Sequence, residues 1–272
     1  MSTIRKKKTE EQIRQENMEN LQNFCLFDDT YMTRFFDENI PCTEFVLQIL
    51  MNKPDLRVEK MKSQVTIRHL EGRSICLDVY ATDSQGKKYD IEIQRSDSGA
   101  DPHRARYHSG MIDVDNLQAG QKFDELPDSY VIFITENDIW GQGDPVYQIE
   151  RMNLTTGKSF EDGSHILLYV YGTYRDDTDI GKLMHDFSCP NPSDMYYKVL
   201  AERASFLKEK EEGVTEMCKI MDKMMREAVQ EERYEFAENL LNMRKLTKEE
   251  IARAANITVE EVEELEKELQ IQ

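Results

Sequence analysis

ICLDVYATDSQGKKYDIEIQ, residues 75–94, decides the fold. Two alternating, β-branched runs, ICLDVYA (75–81) and YDIEIQ (89–94), flank DSQGKK (83–88), which carries turn chemistry. That order reads as an antiparallel hairpin. Successive side chains on a strand point to opposite faces. Leu77 and Val79 therefore share one face of the first strand, and Cys76, Asp78 and Tyr80 share the other. On the second strand Ile91 and Ile93 share a face, opposite Asp90, Glu92 and Gln94. A loop centred on Gln85 sets Val79 across from Ile91 and Asp78 across from Glu92. In that register every apolar residue of the hairpin falls on one side, as a sheet packed on helices requires.

The same register makes Asp78 and Glu92 a cross-strand pair, with Cβ atoms about 5 Å apart. Two like charges so placed destabilise the sheet unless something offsets them. A divalent cation does so, and hard oxygen ligands suit Mg²⁺ or Mn²⁺. Gln94 is the next residue on that face and is positioned to orient a water or a phosphate oxygen beside the metal. The competing reading is a solvent-exposed hairpin face that happens to be acidic. Asp90, one step further from the sheet centre, reads as a solvated edge residue.

Working outward, VTIRHL (65–70) supplies a strand before the hairpin. SYVIFIT (129–135), VYQIERMN (146–153) and SHILLYVYG (164–172) supply strands after it. SYVIFIT is apolar at nearly every position, the pattern of a buried central strand. ADPHRARYHSGMIDVDNLQ (100–118) reads as a helix with Pro102 in its first turn. Strand, crossover helix and strand together give an α/β sheet, partly antiparallel. Upstream, EFVLQILMN (44–52) has a helical apolar face bracketed by Pro41 and Pro54. After CPNPSD (189–194) the composition changes. Residues 195–243 hold one glycine and no proline and read as one or two long helices. Residues 246–270 read as two short helices joined at Asn256-Ile257, with capping boxes at Thr247/Glu250 and Thr258/Glu261. Four segments follow: a polar arm (1–24), an α/β domain (25–192), a long helical segment (193–245) and a small helical unit (246–272).

With those residues in view, LDVYATDSQGKKYDIEIQ resembles the core of the PD-(D/E)xK nuclease family transposases, also called the Rpn family of recombination-promoting nucleases. An Asp ends one strand, a Gly-containing turn follows, and then I-E-x-Q. FDDTYMTRFF (27–36) resembles the family's N-terminal Asp-x-x-aromatic stretch, with Asp28 at the acidic position. EFVLQILMN resembles the helix that follows it. DPHRARYHSG (101–110) resembles the segment after E-x-Q, where Arg104 and Tyr107 match. KLTKEEIARAANITVEEVEEL (245–265) resembles family tails, so the likeness spans residues 25–272. The chain departs from the pattern at Gln94, where the wider superfamily has Lys, at Met32, and at His108, where a second Tyr is common.

The resemblance implies a restriction-endonuclease-like mixed sheet flanked by helices, with an all-α C-terminal extension. It also implies a Mg²⁺-dependent endonuclease hydrolysing DNA phosphodiester bonds, associated with recombination or transposase-like mobile elements. Asp78 and Glu92 would hold the ion. Asp28 would complete the shell from the first helix, in competition with Asp29 and Glu44, and its rival role is helix N-cap. Gln94 carries neither proton nor charge, so another group must supply the positive charge that a Lys gives elsewhere. Arg104 and Arg106 are nearest in sequence, and Arg104 matches the family position. His103 and His108 are further candidates for a general base.

Charge pulls the other way. The formal net charge is −18, spread along the chain, whereas a duplex binder ordinarily shows a basic face. Either a local basic patch and a divalent ion hold DNA, or the chain is a degenerate nuclease fold serving as a binding or regulatory module. The last unit has the rhythm of a helix-turn-helix. Its second helix, however, bears six Glu between 260 and 268, unlike a helix that lies in a major groove. A structural or oligomerisation role fits better. We expect a homodimer assembled through the C-terminal helices, against the rival of a monomer with those helices folded back. No apolar run reaches membrane-spanning length, and the basic N-terminus has no apolar segment behind it. Five scattered cysteines without a CxxC pair fit a reducing cytoplasm.

Overall fold

A computed structural model describes residues 10–69, 72–95 and 100–271. Helices α1 (Glu10–Asn23), α2 (Asp29–Phe36) and α3 (Ile40–Leu50) precede strands β1 (Val58–Ile67), β2 (Ile75–Asp83) and β3 (Lys88–Gln94). Helix α4 (Pro102–Asn116) leads to β4 (Ser129–Thr135), β5 (Val146–Ile149), β6 (Met152–Asn153), β7 (Lys158–Ser159) and β8 (Ser164–Tyr171). Helices α5 (Asp179–Ser188), α6 (Lys198–Glu209), α7 (Glu211–Met243), α8 (Lys248–Ala255) and α9 (Val259–Ile271) follow. Of the expected N-terminal arm, residues 1–9 lie outside the described residues, and most of the remainder forms α1.

The main sheet has six strands in the order β1-β2-β3-β4-β8-β5. β1, β2 and β3 run antiparallel, β3, β4 and β8 run parallel, and β5 returns antiparallel on the far edge. β6 and β7 form a separate two-stranded hairpin. The expected mixed α/β architecture is therefore present. The central strand β4 is buried at all seven positions, as its unbroken apolar run foretold. Two boundaries differ from the sequence reading. The strand expected at 65–70 begins earlier, at Val58, with a charged first half that alternation alone does not reveal, and its last position, 70, is not described. The run 146–153 divides between β5 and β6.

The β2–β3 hairpin has the anticipated register, Val79 facing Ile91. Asp83 builds the turn. Its Oδ1 accepts from the amides of Gln85 and Lys87, its Oδ2 accepts from the Tyr89 hydroxyl, and Gly86 takes φ +83°, where a Cβ would be strained. Helix α4 is the β3-to-β4 crossover. Asp101 caps it through the His103 amide, and Pro102 occupies the first turn, where no amide donor is needed. Its Ala105, Met111 and Ile112 pack with Val131, Phe133 and Tyr169 in one core cluster. The hairpin's carboxylate face is thus roofed by a helix, not open to solvent.

Two compact units are present, residues 1–217 and residues 218–272. In the first, α6 is fully integrated. Leu200, Ala204 and Leu207 are buried, and Arg203 donates from Nε to the Phe35 carbonyl (3.0 Å) and from Nη2 to the Arg34 carbonyl (2.7 Å). Lys208, 3% exposed, donates to the carbonyls of Gln22, Phe24 and Pro190. The chain breaks helix at Lys210 and restarts, and at Gly213 any Cβ would meet the Phe206 carbonyl. In the second unit both capping boxes form, and Asn256 ends α8 in the left-handed conformation with φ 56°. Ala237, Ile251, Ala252, Ala255, Val262 and Leu265 make its core. No helix among the described residues is long and apolar enough to cross a membrane.

Candidate active site

The regular β2–β3 ladder ends at the Val79–Ile91 pair, and the two carboxylates take over from it. The Asp78 amide donates to Glu92 Oε1 at 3.1 Å, and the Ile93 amide donates to Asp78 Oδ2 at 3.1 Å. Side chains thereby satisfy backbone groups that a further ladder rung would otherwise pair. Asp78 is half-buried and Glu92 fully buried. A third contact comes from β1. Gln64, across from Asp78 in the β1–β2 register, has φ 52° within a strand and donates from its amide to Asp78 Oδ1 and to Thr33 Oγ1, each at 3.2 Å. The Cys76 thiol donates to the same amide's oxygen.

From the roof, α4 lowers Arg104 and His108, one helical turn apart, onto β3. Arg104 Nη2 lies 2.7 Å from Glu92 Oε2, and Nε lies 3.4 Å from His108 Nε2. His108 Nδ1 lies 3.0 Å from Asp90 Oδ2 and 3.7 Å from Glu92 Oε1. With Nε2 accepting from Arg104, the ring proton sits on Nδ1 and points to Asp90. Asp90 is 0% exposed, so it is no solvated edge residue. The strand-end argument failed because the helix that follows in sequence covers that end of β3. His108 is likewise a member of the cluster, and its signal was visible: it stands four residues after Arg104, on the same helical face.

Burial dominates the electrostatics. It holds the carboxyls of Asp78 and Asp90 above the usual carboxylate range and, with Asp90 and Asp78 as neighbours, lifts Glu92 to about 9 despite Arg104. It pushes His108 below its ordinary value, towards the neutral imidazole. Among the described residues, Asp90, Glu92 and His108 present ligand atoms within 4.8 Å of one another, and Asp90 Oδ1 is buried with no hydrogen-bond partner. A donor set of carboxylates and one imidazole, short of positive charge, fits a divalent ion.

The remaining candidates lie as follows. Gln94 is half-buried, one step past Glu92 on the same strand. Asp28 stands at the N-cap position of α2, but its side chain makes no capping bond. Its Oδ2 accepts from the Cys25 amide at 2.8 Å, and its Oδ1 pairs with Arg95 at 3.2 Å. Asp29 is exposed and close enough to raise Asp78's affinity for its proton. Glu44 accepts from the Val58 amide, fixing the start of β1. Arg106 is exposed on α4 beside a cleft of about 600 Å³ that is also lined by Arg73, Cys76, His103, Arg104 and His108. His103 bonds its own helix cap, Asp101.

Residues 42–170 match the model of the PD-(D/E)XK nuclease family transposase. This is the family that the sequence of the hairpin resembles, and the mixed sheet with its flanking helices is restriction-endonuclease-like. The PD-(D/E)XK segment runs from α3 to the end of β8 and contains Asp78, Glu92, Gln94 and Arg104, whereas Asp28 lies outside it. The match points to nuclease- or transposase-related function. No curated protein and no solved structure shows significant similarity to the chain.

Proposed function

We propose that this PD-(D/E)XK protein is a divalent-metal-dependent endonuclease that hydrolyses DNA phosphodiester bonds, in recombination or transposase-like mobile elements. The observation that carries the reading is that the carboxylates of Asp78 and Glu92 each accept from an amide of the opposite strand, those of Ile93 and Asp78, where the ladder ends, beside a locally basic cleft in an otherwise acidic protein. Asp78 and Glu92 would hold Mg²⁺ or Mn²⁺, and a bound divalent ion lowers the pKa of a water and polarises a phosphate. The chain's own residues do the rest. Gln94, without charge, orients a water or a phosphate oxygen by hydrogen bonding. Arg104, already on Glu92, supplies the fixed positive charge that Gln94 lacks. Arg73 and Arg106, which make no ion pair among the described residues, line the cleft where a phosphate backbone would lie. Asp28 is held by Arg95 and the Cys25 amide, so it would join the ion only by giving up both.

Purified protein with supercoiled plasmid and Mg²⁺ or Mn²⁺ tests the reading. Wild type should nick or linearise the plasmid, and Asp78→Ala should reduce the rate by about a hundredfold or more, the scale of losing a central electrostatic group. Equal rates for the two proteins would remove the activity.

A second reading, a regulatory module on a nuclease fold, is favoured by one observation. In the structure Arg104 is bonded to Glu92 Oε2, so a positive charge already occupies a carboxylate that would hold the ion. Retained DNA association without metal-dependent cleavage would select that reading. A homodimer in the cytoplasm completes the proposal. It is supported by exposed apolar residues Met225, Val229, Phe236 and Met243 at coiled-coil-like spacing along α7.

A further inference from the structure

We propose that Asp90, Glu92 and His108 form a second divalent-cation site, next to the Asp78–Glu92 pair and sharing Glu92 with it. It rests on the metal reading above only through that shared residue. The spacing is that of ligands around one ion. Two ligands at right angles on bonds of about 2.1 Å are roughly 3.0 Å apart, and opposite ligands roughly 4.2 Å apart. His108 Nδ1 is 3.0 Å from Asp90 Oδ2 and 3.7 Å from Glu92 Oε1.

Asp90 supplies the independent evidence. The residue is wholly buried, yet its Oδ1 has no hydrogen-bond partner among the described residues. Leaving a buried acceptor unmet is costly, and a site whose carboxyls outnumber its fixed cations invites a cation to fill it. Among the described residues, Arg104 is the guanidinium that neighbours Asp78, Asp90 and Glu92, and it is paired with Glu92. The cleft bordered by Arg73, Cys76, His103, Arg104 and Tyr107 is lined by His108 as well, so the cluster lies next to it.

The donor set also names the class of ion. One imidazole nitrogen with two carboxylates favours Mn²⁺, Fe²⁺ or Zn²⁺ over Mg²⁺, which prefers all-oxygen shells. Ligation through Nδ1 moves the ring proton to Nε2. The long Arg104 Nε contact to Nε2, 3.4 Å, is then given up, while the 2.7 Å bond to Glu92 does not depend on that proton.

Mn²⁺ binding to the full chain tests the assignment. By calorimetry, wild type should take up two Mn²⁺. Asp78→Asn should keep one of them, and His108→Asn should weaken that remaining site by about tenfold or more. Pulsed electron paramagnetic resonance of the Mn²⁺-loaded wild type should show nitrogen coupling from a directly bound imidazole, and His108→Asn should abolish it. One Mn²⁺ in wild type that vanishes in Asp78→Asn would overturn the site. So would a loaded wild type without nitrogen coupling, which needs no variant to fold, and protons would then hold the cluster together. The two proposals fail separately. Two-site binding without plasmid cleavage counts against the nuclease reading alone, and cleavage with one oxygen-only ion counts against this site alone.

Discussion

Glu92 is the residue through which every part of the site communicates. Its Oε1 accepts from the Asp78 amide, its Oε2 pairs with Arg104, and Asp90 and His108 stand alongside. A carboxyl whose folded pKa is raised binds its proton more tightly in the folded state. Its contribution to stability is present below the unfolded value and is lost as pH rises through the folded one. For Asp78, Asp90 and Glu92 the unfolded values are near 4, and Glu92 titrates at about 9 in the fold. Metal-free protein should therefore lose stability as pH rises from about 5 to 9, and Glu92→Gln should flatten that decline. Thermal melts in chelator at several pH values measure it. A wild-type curve parallel to that of Glu92→Gln would show that the cluster does not share protons. Gln64 makes a second prediction. An exposed strand position ordinarily tolerates substitution within about 0.5 kcal/mol. Gln64 sits at φ 52°, which a β-branched residue resists, so Gln64→Val should cost about 1–2 kcal/mol in urea denaturation. A change inside the ordinary range would mean that the left-handed turn is easily relaxed.

At the scale of elements, Lys208 of α6 ties the end of α1 and the segment after α5 to one ammonium group. Burial lowers its pKa to about 8, yet three carbonyl acceptors favour the charged form. Lys208→Met keeps the apolar stem and strands three carbonyls. We expect a loss of about 2–4 kcal/mol, read from chemical denaturation. A variant as stable as wild type would mean that water reaches those carbonyls. What could be read in the chain divides along the same lines. Local rules located the hairpin register, the α4 start at Pro102 and the two capping boxes, because each depends on residues within a few positions. Asp90, by contrast, was misread because its burial depends on α4, whose seating on β3 is a tertiary event. The His108–Asp90 contact was hidden for the same reason, although the Arg104/His108 spacing was available. The role of α6 was also hidden, since its charged composition does not reveal that Arg203 and Lys208 point inward to carbonyls.

For the molecule as a whole, the acidic net charge makes a single weak DNA site a poor solution, and two linked sites raise effective affinity without new contacts. The exposed apolar residues of α7 offer a surface for pairing two chains. Light scattering on the full chain should give a dimer, and Val229→Glu with Phe236→Glu should give a monomer with an unchanged melting temperature for residues 1–217. Val229 and Phe236 are 42% and 48% exposed, so neither change disturbs a packed core. A wild-type monomer would dismiss the assembly.

The hairpin also carries its own gauge. Two backbone protons, those of Asp78 and Ile93, are held by carboxylate oxygens that a bound ion would compete for. Anything that draws those oxygens away loosens the grip on the amides, even if no helix moves. The exchange rates of two neighbouring amide protons with solvent deuterium would then report occupancy directly, so that the protein's working state is readable from its backbone without following a reaction.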